Sequence, residues 1–133
     1  PTEKSFQTSI VKSARDAGLY AENMEVQSAP GFPDIFVTDG ERFTLIETKA
    51  GHIGEKRTVK TLLSPAQLPW WTNYTKTVEG VSLLLAIRSR TKFLVIPITW
   101  DVCADIRNEA TIKDLPFIEY DTVKEFVRDL PQP

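Results

Sequence analysis

Apolar residues recur at helical spacing near the start of the chain. Phe6, Ile10, Ala14 and Ala17 fall at i, i+4, i+8 and i+11, which places one apolar stripe on a helix from Glu3 to Ala17. Thr2 suits its N-cap, and Gly18 suits the position just past its C-terminus. Met24 to Ser28 carries a weak strand signal, and Pro30-Gly31-Phe32-Pro33 is turn chemistry. Two β-rich runs follow, Asp34 to Thr38 and Arg42 to Lys49, around Asp39-Gly40. An Asp-Gly pair between such runs favours a two-residue type I′ turn, because both central residues need positive φ.

Gly51 to Leu63 has little periodicity and reads as a loop. Ser64-Pro65-Ala66-Gln67 opens a second helix: Ser64 as N-cap, Pro65 at the first helical position, and Gln67 completing a capping box. Trp70, Tyr74 and Val78 continue one face with Trp71 beside it; Pro69 sits deep enough to bend the helix, and Gly80 closes it. Val81 to Ile87 is an apolar strand, Arg88 to Lys92 a basic turn, and Phe93 to Ile98 a further strand in which Pro97 marks an edge or an end. Residues 100–109 suit a short helix. Asp121 caps a last one, with Val123, Phe126, Val127 and Leu130 on its apolar face. The order is α, β, β, β, α, β, β and then helical pieces, without repeats or an internal linker. One α/β domain is expected, with a core over about residues 3–98 and a helical extension over 99–133.

Composition narrows the function classes. With 41% hydrophobic and 26% charged residues in 133, the chain is neither disordered, collagenous nor membrane-embedded. Its longest apolar run is far too short for a bilayer, and residues 1–20 hold no apolar leader segment. Cys103 is the one cysteine, so no internal disulfide forms. A buried thiol in a reducing cytoplasm is the expectation. The net charge of −2 disfavours a polyanion partner until its distribution is considered. Residues 51–100 carry seven basic side chains (Lys56, Arg57, Lys60, Lys76, Arg88, Arg90, Lys92) against Glu55 and Glu79, while both flanks are acidic. A local positive field of this kind suits nucleic acid, although a plain solvated face fits equally well.

The hairpin brings candidate chemistry together. If Asp39-Gly40 is the turn, Thr38 faces Glu41, and Asp34 faces Leu45. Glu47 and Lys49 then lie on the same side of the sheet as Asp34. Asp34 and Glu47 become diagonal neighbours, with Cα atoms about 7–8 Å apart. A four-residue loop keeps that parity and a three-residue loop breaks it. Two carboxylates so placed suit Mg²⁺ or Mn²⁺. Such an ion can bind a phosphate oxygen and activate water for phosphodiester hydrolysis, with Lys49 beside it to stabilise developing charge. A turn aspartate and a surface Glu–Lys pair are the plain alternatives.

Gly31-Phe32-Pro33-Asp34, twelve residues and then Glu47-Thr48-Lys49 resembles the PD-(D/E)XK nuclease superfamily. It is most similar to the VRR-NUC branch, in which the hairpin precedes a helix that begins near a glutamine, here Gln67. Stand-alone members of that branch often come from phages, which would place this chain in a host cytoplasm. The resemblance spans roughly residues 3–98. It implies a restriction-endonuclease-like core, a mixed central sheet flanked by helices on both sides. It also implies a Mg²⁺- or Mn²⁺-dependent endonuclease acting on DNA, and frequently a homodimer; branched DNA (junctions or flaps) is the expected substrate class because the sequence shows no separate sequence-reading module.

On that resemblance Asp34 and Glu47 are metal ligands and Lys49 the catalytic cation. Thr48 contributes its backbone carbonyl, and Gln67 reaches toward Lys49 or the scissile phosphate. Glu3 is a candidate third carboxylate, or simply a favourable charge in a first helical turn. Lys56, Arg57 and Lys60, in a loop longer than usual for the branch, and Arg88 and Arg90 are candidate phosphate contacts. His52 reads as a surface residue, and Trp70 and Trp71 read as core rather than as base-stacking rings. A catalytically silent nucleic-acid-binding module, or a protein-interaction domain on the same fold, is the competing expectation.

Overall fold

A computed structural model describes residues 2–24, 30–78 and 81–130, with the backbone alone at Val81. Helix α1 (Glu3–Asp16) is followed by strands β1 (Tyr20–Asn23), β2 (Ile35–Thr38) and β3 (Phe43–Ala50), a 3₁₀ turn (Val59–Leu62) and helix α2 (Gln67–Thr77). Strands β4 (Val81–Arg88) and β5 (Phe93–Pro97), helix α3 (Trp100–Arg107), a 3₁₀ turn (Ile112–Asp114), strand β6 (Ile118–Tyr120) and helix α4 (Val123–Asp129) complete it. The six strands form one sheet in sequence order. β3 and β4 are parallel, and every other neighbouring pair is antiparallel. This is the mixed sheet with flanking helices that was expected.

Both faces of the sheet are covered, which explains the apolar run in β4. Leu84 and Ala86 pack with Phe6 and Ile10 of α1 and Phe126 of α4. Leu83, Leu85 and Ile87 pack with Leu68 and Trp71 of α2 and Val102 and Ile106 of α3. A strand buried on both sides has no polar face to alternate. Among the described residues no helix is long and apolar enough to cross a membrane.

Several sequence expectations need correction. The hairpin turn has four residues, Asp39 to Arg42, because Ile35 pairs with Ile46 and Thr38 with Phe43. Asp39 Oδ1 accepts from the backbone N–H groups of Glu41 and Arg42, and Thr38 Oγ1 accepts from Gly40 N and donates to Arg42 O. These local bonds out-compete the tighter I′ turn, and the same amides hold the Asp39 carboxyl below its ordinary pKa. A strand at Tyr20–Asn23 was not expected; of the strand expected at Met24 to Ser28, the last four residues, like Gly80, lie outside the described residues. Helix α2 begins at Gln67, with Ala66 at the cap position and no side-chain cap bond. Pro69 therefore falls in the first turn, where its missing N–H costs nothing. The inner face of α2 is Leu68 and Trp71, whereas Val78 is exposed. Thr122, not Asp121, caps α4 through a bond from Glu125 N.

The extension after residue 98 is not purely helical. β6 joins the sheet against β5, too short and too exposed to leave a sequence signal. The expected free loop after β3 is also pinned. Val59 N donates to Ala110 O, Ile112 N to Arg57 O and Lys113 N to Glu55 O. Val59 itself is fully buried in the α2–α3 core.

Candidate active site

The parallel pair β3–β4 ends in Lys49 beside Ile87 and Ala50 beside Arg88. In open α/β sheets, ligands gather beyond such carboxyl ends. The loop Gly31–Asp34 enters β2 at this end of the sheet, so Asp34 meets the last residues of β3. Extending the β2–β3 register by one residue sets Asp34 opposite Glu47. The four-residue turn keeps the predicted parity of β2 and β3, and Asp34, just before β2, is close enough to Glu47 for its charge to act on that carboxyl.

Gly31 makes this entry possible. It has φ +87°, and a Cβ built on it would lie 2.5 Å from the Ala66 carbonyl oxygen and 2.8 Å from Trp70 Cβ. Only glycine lets the loop lie against the first turn of α2. Phe32 then packs edge-on against Trp70, which stacks on Tyr74. Trp71 is core, as expected; Trp70 is half-buried in this aromatic row. The loop carrying Asp34 and the turn carrying Gln67 are therefore locked together.

Asp34 Oδ2 accepts from Thr48 N at 2.9 Å and from Thr48 Oγ1 at 2.8 Å. Glu47 is buried and points to the opposite side of β3 from Thr48. Its Oε2 accepts from Gln67 Nε2 at 2.9 Å and lies 3.7 Å from Lys49 Nζ. Gln67, expected to reach toward Lys49 or a phosphate, donates here to Glu47, the carboxylate beside Lys49. Its Oε1 accepts from Ser64 N at 2.9 Å, the glutamine half of the expected capping box. One side chain thus closes the helix start and orients the carboxylate.

Burial, and next the charge of Asp34, push the Glu47 carboxyl up to about 9, against a lowering by Lys49; Glu3 adds a smaller raising effect. Three acidic, imidazole or thiol side chains close enough to hold a metal are not found together among the described residues.

The chemistry of the pair fits a hard divalent cation. Glu47 Oε1 is buried and has no hydrogen-bond partner among the described residues. A buried oxygen in that state costs free energy, and beside a second carboxylate it is a natural ligand for Mg²⁺ or Mn²⁺.

The predicted cations divide. Arg88 ends β4 and lies over the Phe93 ring at 5.9 Å. Arg90 follows in the β4–β5 turn and is exposed, as is Lys56 in the loop after β3. Arg57 Nε donates to Thr61 Oγ1 at 2.7 Å. Lys60 turns to Glu109 at 3.5 Å and Lys92 to Glu55 at 3.2 Å, so two positive charges are offset by local partners. His52 is exposed.

Two residues escaped the sequence reading. Gln7 Nε2 donates to Thr48 Oγ1 at 2.9 Å, and Asn23 Nδ2 donates to Gln7 Oε1 at 3.0 Å. A signal for Gln7 exists: Glu3, Gln7, Ile10 and Ala14 share one helix face, so two polar residues head the buried stripe.

No sequence-family model matches the chain, and neither does any curated protein sequence. Among solved structures 11 chains match. One is Hjc, a Holliday junction resolvase from the archaeal hyperthermophile Archaeoglobus fulgidus, similar at 18% identity over 72% of each chain with a TM-score of 0.49.

Proposed function

We propose that this chain is a divalent-metal-dependent endonuclease of the PD-(D/E)XK type, VRR-NUC-like, that hydrolyses DNA phosphodiester bonds in branched DNA. The observation that carries the proposal is the buried, half-satisfied carboxylate of Glu47, set beside Asp34 and Lys49 at the carboxyl end of the parallel strands.

Asp34 and Glu47 are the residues that would hold the ion, with the Thr48 carbonyl as an added ligand. The chemistry that Mg²⁺ or Mn²⁺ supplies in such a site is Lewis acidity toward phosphate and water. Lys49 Nζ, 3.7 Å from Glu47 Oε2, would orient the attacking water and stabilise charge gathering on the phosphate oxygens. Water adds to phosphorus, one P–O ester bond breaks, and the products are a phosphate monoester and a hydroxyl. Gln67 holds Glu47 in place by donating to Oε2. Arg88, Arg90, Lys56 and Arg57 would engage the backbone on either side of the cut. Phosphate contacts of this kind follow the course of a strand rather than its bases, which suits a branched substrate. Cutting both strands of a junction calls for two copies of the site, hence a homodimer on the DNA.

A panel of labelled four-way junctions, flaps, nicked duplexes and linear duplexes tests this, incubated with Mg²⁺, Mn²⁺ or EDTA. Cleavage of branched forms with either metal, and none in EDTA, is expected. Binding without cleavage under both metals would make the chain a DNA-binding module instead.

A further inference from the structure

We propose that Gln7 of α1 is a positioning residue for the Asp34 carboxylate, acting through the Thr48 side chain. The proposal rests on the reading of Asp34 as a metal ligand.

A chain of hydrogen bonds runs from the edge of the sheet to the site. Asn23 donates to Gln7, Gln7 to Thr48, and Thr48 to Asp34, each link between 2.8 and 3.0 Å. Its direction follows from its last member. Asp34 Oδ2 accepts from the Thr48 hydroxyl, so that hydroxyl points its proton at Asp34. The Thr48 oxygen is then left to accept, so Gln7 must present its NH₂ group. Gln7 Oε1 consequently faces Asn23, which must donate in turn. Every amide in the chain has one allowed orientation.

The two inner members of the chain are dry, while Asn23 at its outer end is exposed and Asp34 is half-buried. Gln7 is 3% exposed and Thr48 is fully buried. Gln7 occupies a helix position whose neighbours Phe6, Ile10, Val11 and Ala14 are all apolar core. An aliphatic side chain there would avoid the cost of burying an amide. What the amide provides is a fixed hydroxyl proton for Asp34. Together with Thr48 N, that proton saturates Oδ2 and stops the carboxylate from rotating. The other oxygen, Oδ1, is the one then presented to a cation. Residues behind the ligands commonly set metal affinity in this way.

The experiment measures Mn²⁺ binding by calorimetry on the full chain without DNA, for the wild type and for Asp34→Asn, Gln7→Leu, Gln7→Glu, Thr48→Val and Thr48→Ser. Circular dichroism checks the fold of each. Thr48→Ser keeps the hydroxyl and should bind as the wild type does. Thr48→Val and Gln7→Leu should each weaken Mn²⁺ about 10- to 100-fold. The Gln7→Leu/Thr48→Val double variant should be no weaker than Thr48→Val, because both break one chain. Gln7→Glu cannot donate to Thr48 and should weaken binding even if Gln7→Leu fails to fold. If Mn²⁺ binds the wild type, is lost in Asp34→Asn and is unchanged in Gln7→Leu or Gln7→Glu, the positioning role is overturned and the metal site stands. If Mn²⁺ fails to bind the wild type, or binds Asp34→Asn equally well, the metal reading falls and this proposal with it.

Discussion

Glu47 makes the protein's stability depend on pH in a direction opposite to most carboxylates. Its folded pKa of about 9 stands above the ordinary 4.5, chiefly through burial and next through Asp34. Between those values the folded chain holds a proton that the unfolded chain has released. Stability from this group is therefore fully present below pH 4.5 and is lost as pH rises toward 9. One proton corresponds to about 1.4 kcal/mol per pH unit, so the loss between pH 5 and 8 reaches about 4 kcal/mol at most. Glu47→Gln copies the protonated form and removes the effect. Urea unfolding in EDTA, repeated from pH 5 to 8, compares the two proteins. The gap should move in favour of Glu47→Gln as pH rises. Parallel curves across that range would show that Glu47 is ionised in the metal-free fold, and the picture of a buried carboxyl awaiting a cation would be wrong.

Other consequences are simpler to read. Gly31→Ala should cost over about 2 kcal/mol, since strain at φ +87° (roughly 1–2 kcal/mol) adds to a backbone clash. Gly40→Ala, at φ +99° with nothing within 4 Å, should show the strain alone; equal losses in urea unfolding would remove the close-approach argument. Val59→Ala should destabilise by about 2 kcal/mol, because Val59 is a fully buried anchor for the loop after β3; a loss near zero would mean that the loop is not pinned there. Arg90→Ala should reduce the salt dependence of junction binding by about one phosphate contact, and an unchanged slope in a salt titration would place Arg90 away from the DNA.

Hairpin parity was the part of the site most legible in the sequence. It survived an error in the turn because two- and four-residue loops leave the same residues on the same face. The error itself arose because Thr38 and Asp39 bond their own turn amides, and such local competition is invisible to a rule about Asp-Gly. The β4 run was readable because burial dictates it residue by residue; the α1 stripe was readable through Phe6, Ile10 and Ala14, whereas Ala17, at the C-cap past the helix end, is exposed. Strand β6 was not readable, since three largely exposed residues owe their conformation to the edge of β5. The loop after β3 looked unstructured because its partners, residues 109–115, are distant in sequence and bond mainly through backbone atoms. Gln7 was missed for a related reason: its partner Thr48 is 41 residues away.

The central claim, that Asp34 and Glu47 hold a catalytic cation with Lys49 beside it, meets its most direct test in single-turnover cleavage of a labelled four-way junction in Mg²⁺. Wild type, Glu47→Ala and Lys49→Ala are compared, with circular dichroism to show that each is folded. The wild type should cut, and each variant should lose activity by about 10²- to 10³-fold or more. Full activity in either folded variant, or cutting by the wild type in EDTA, would contradict the claim.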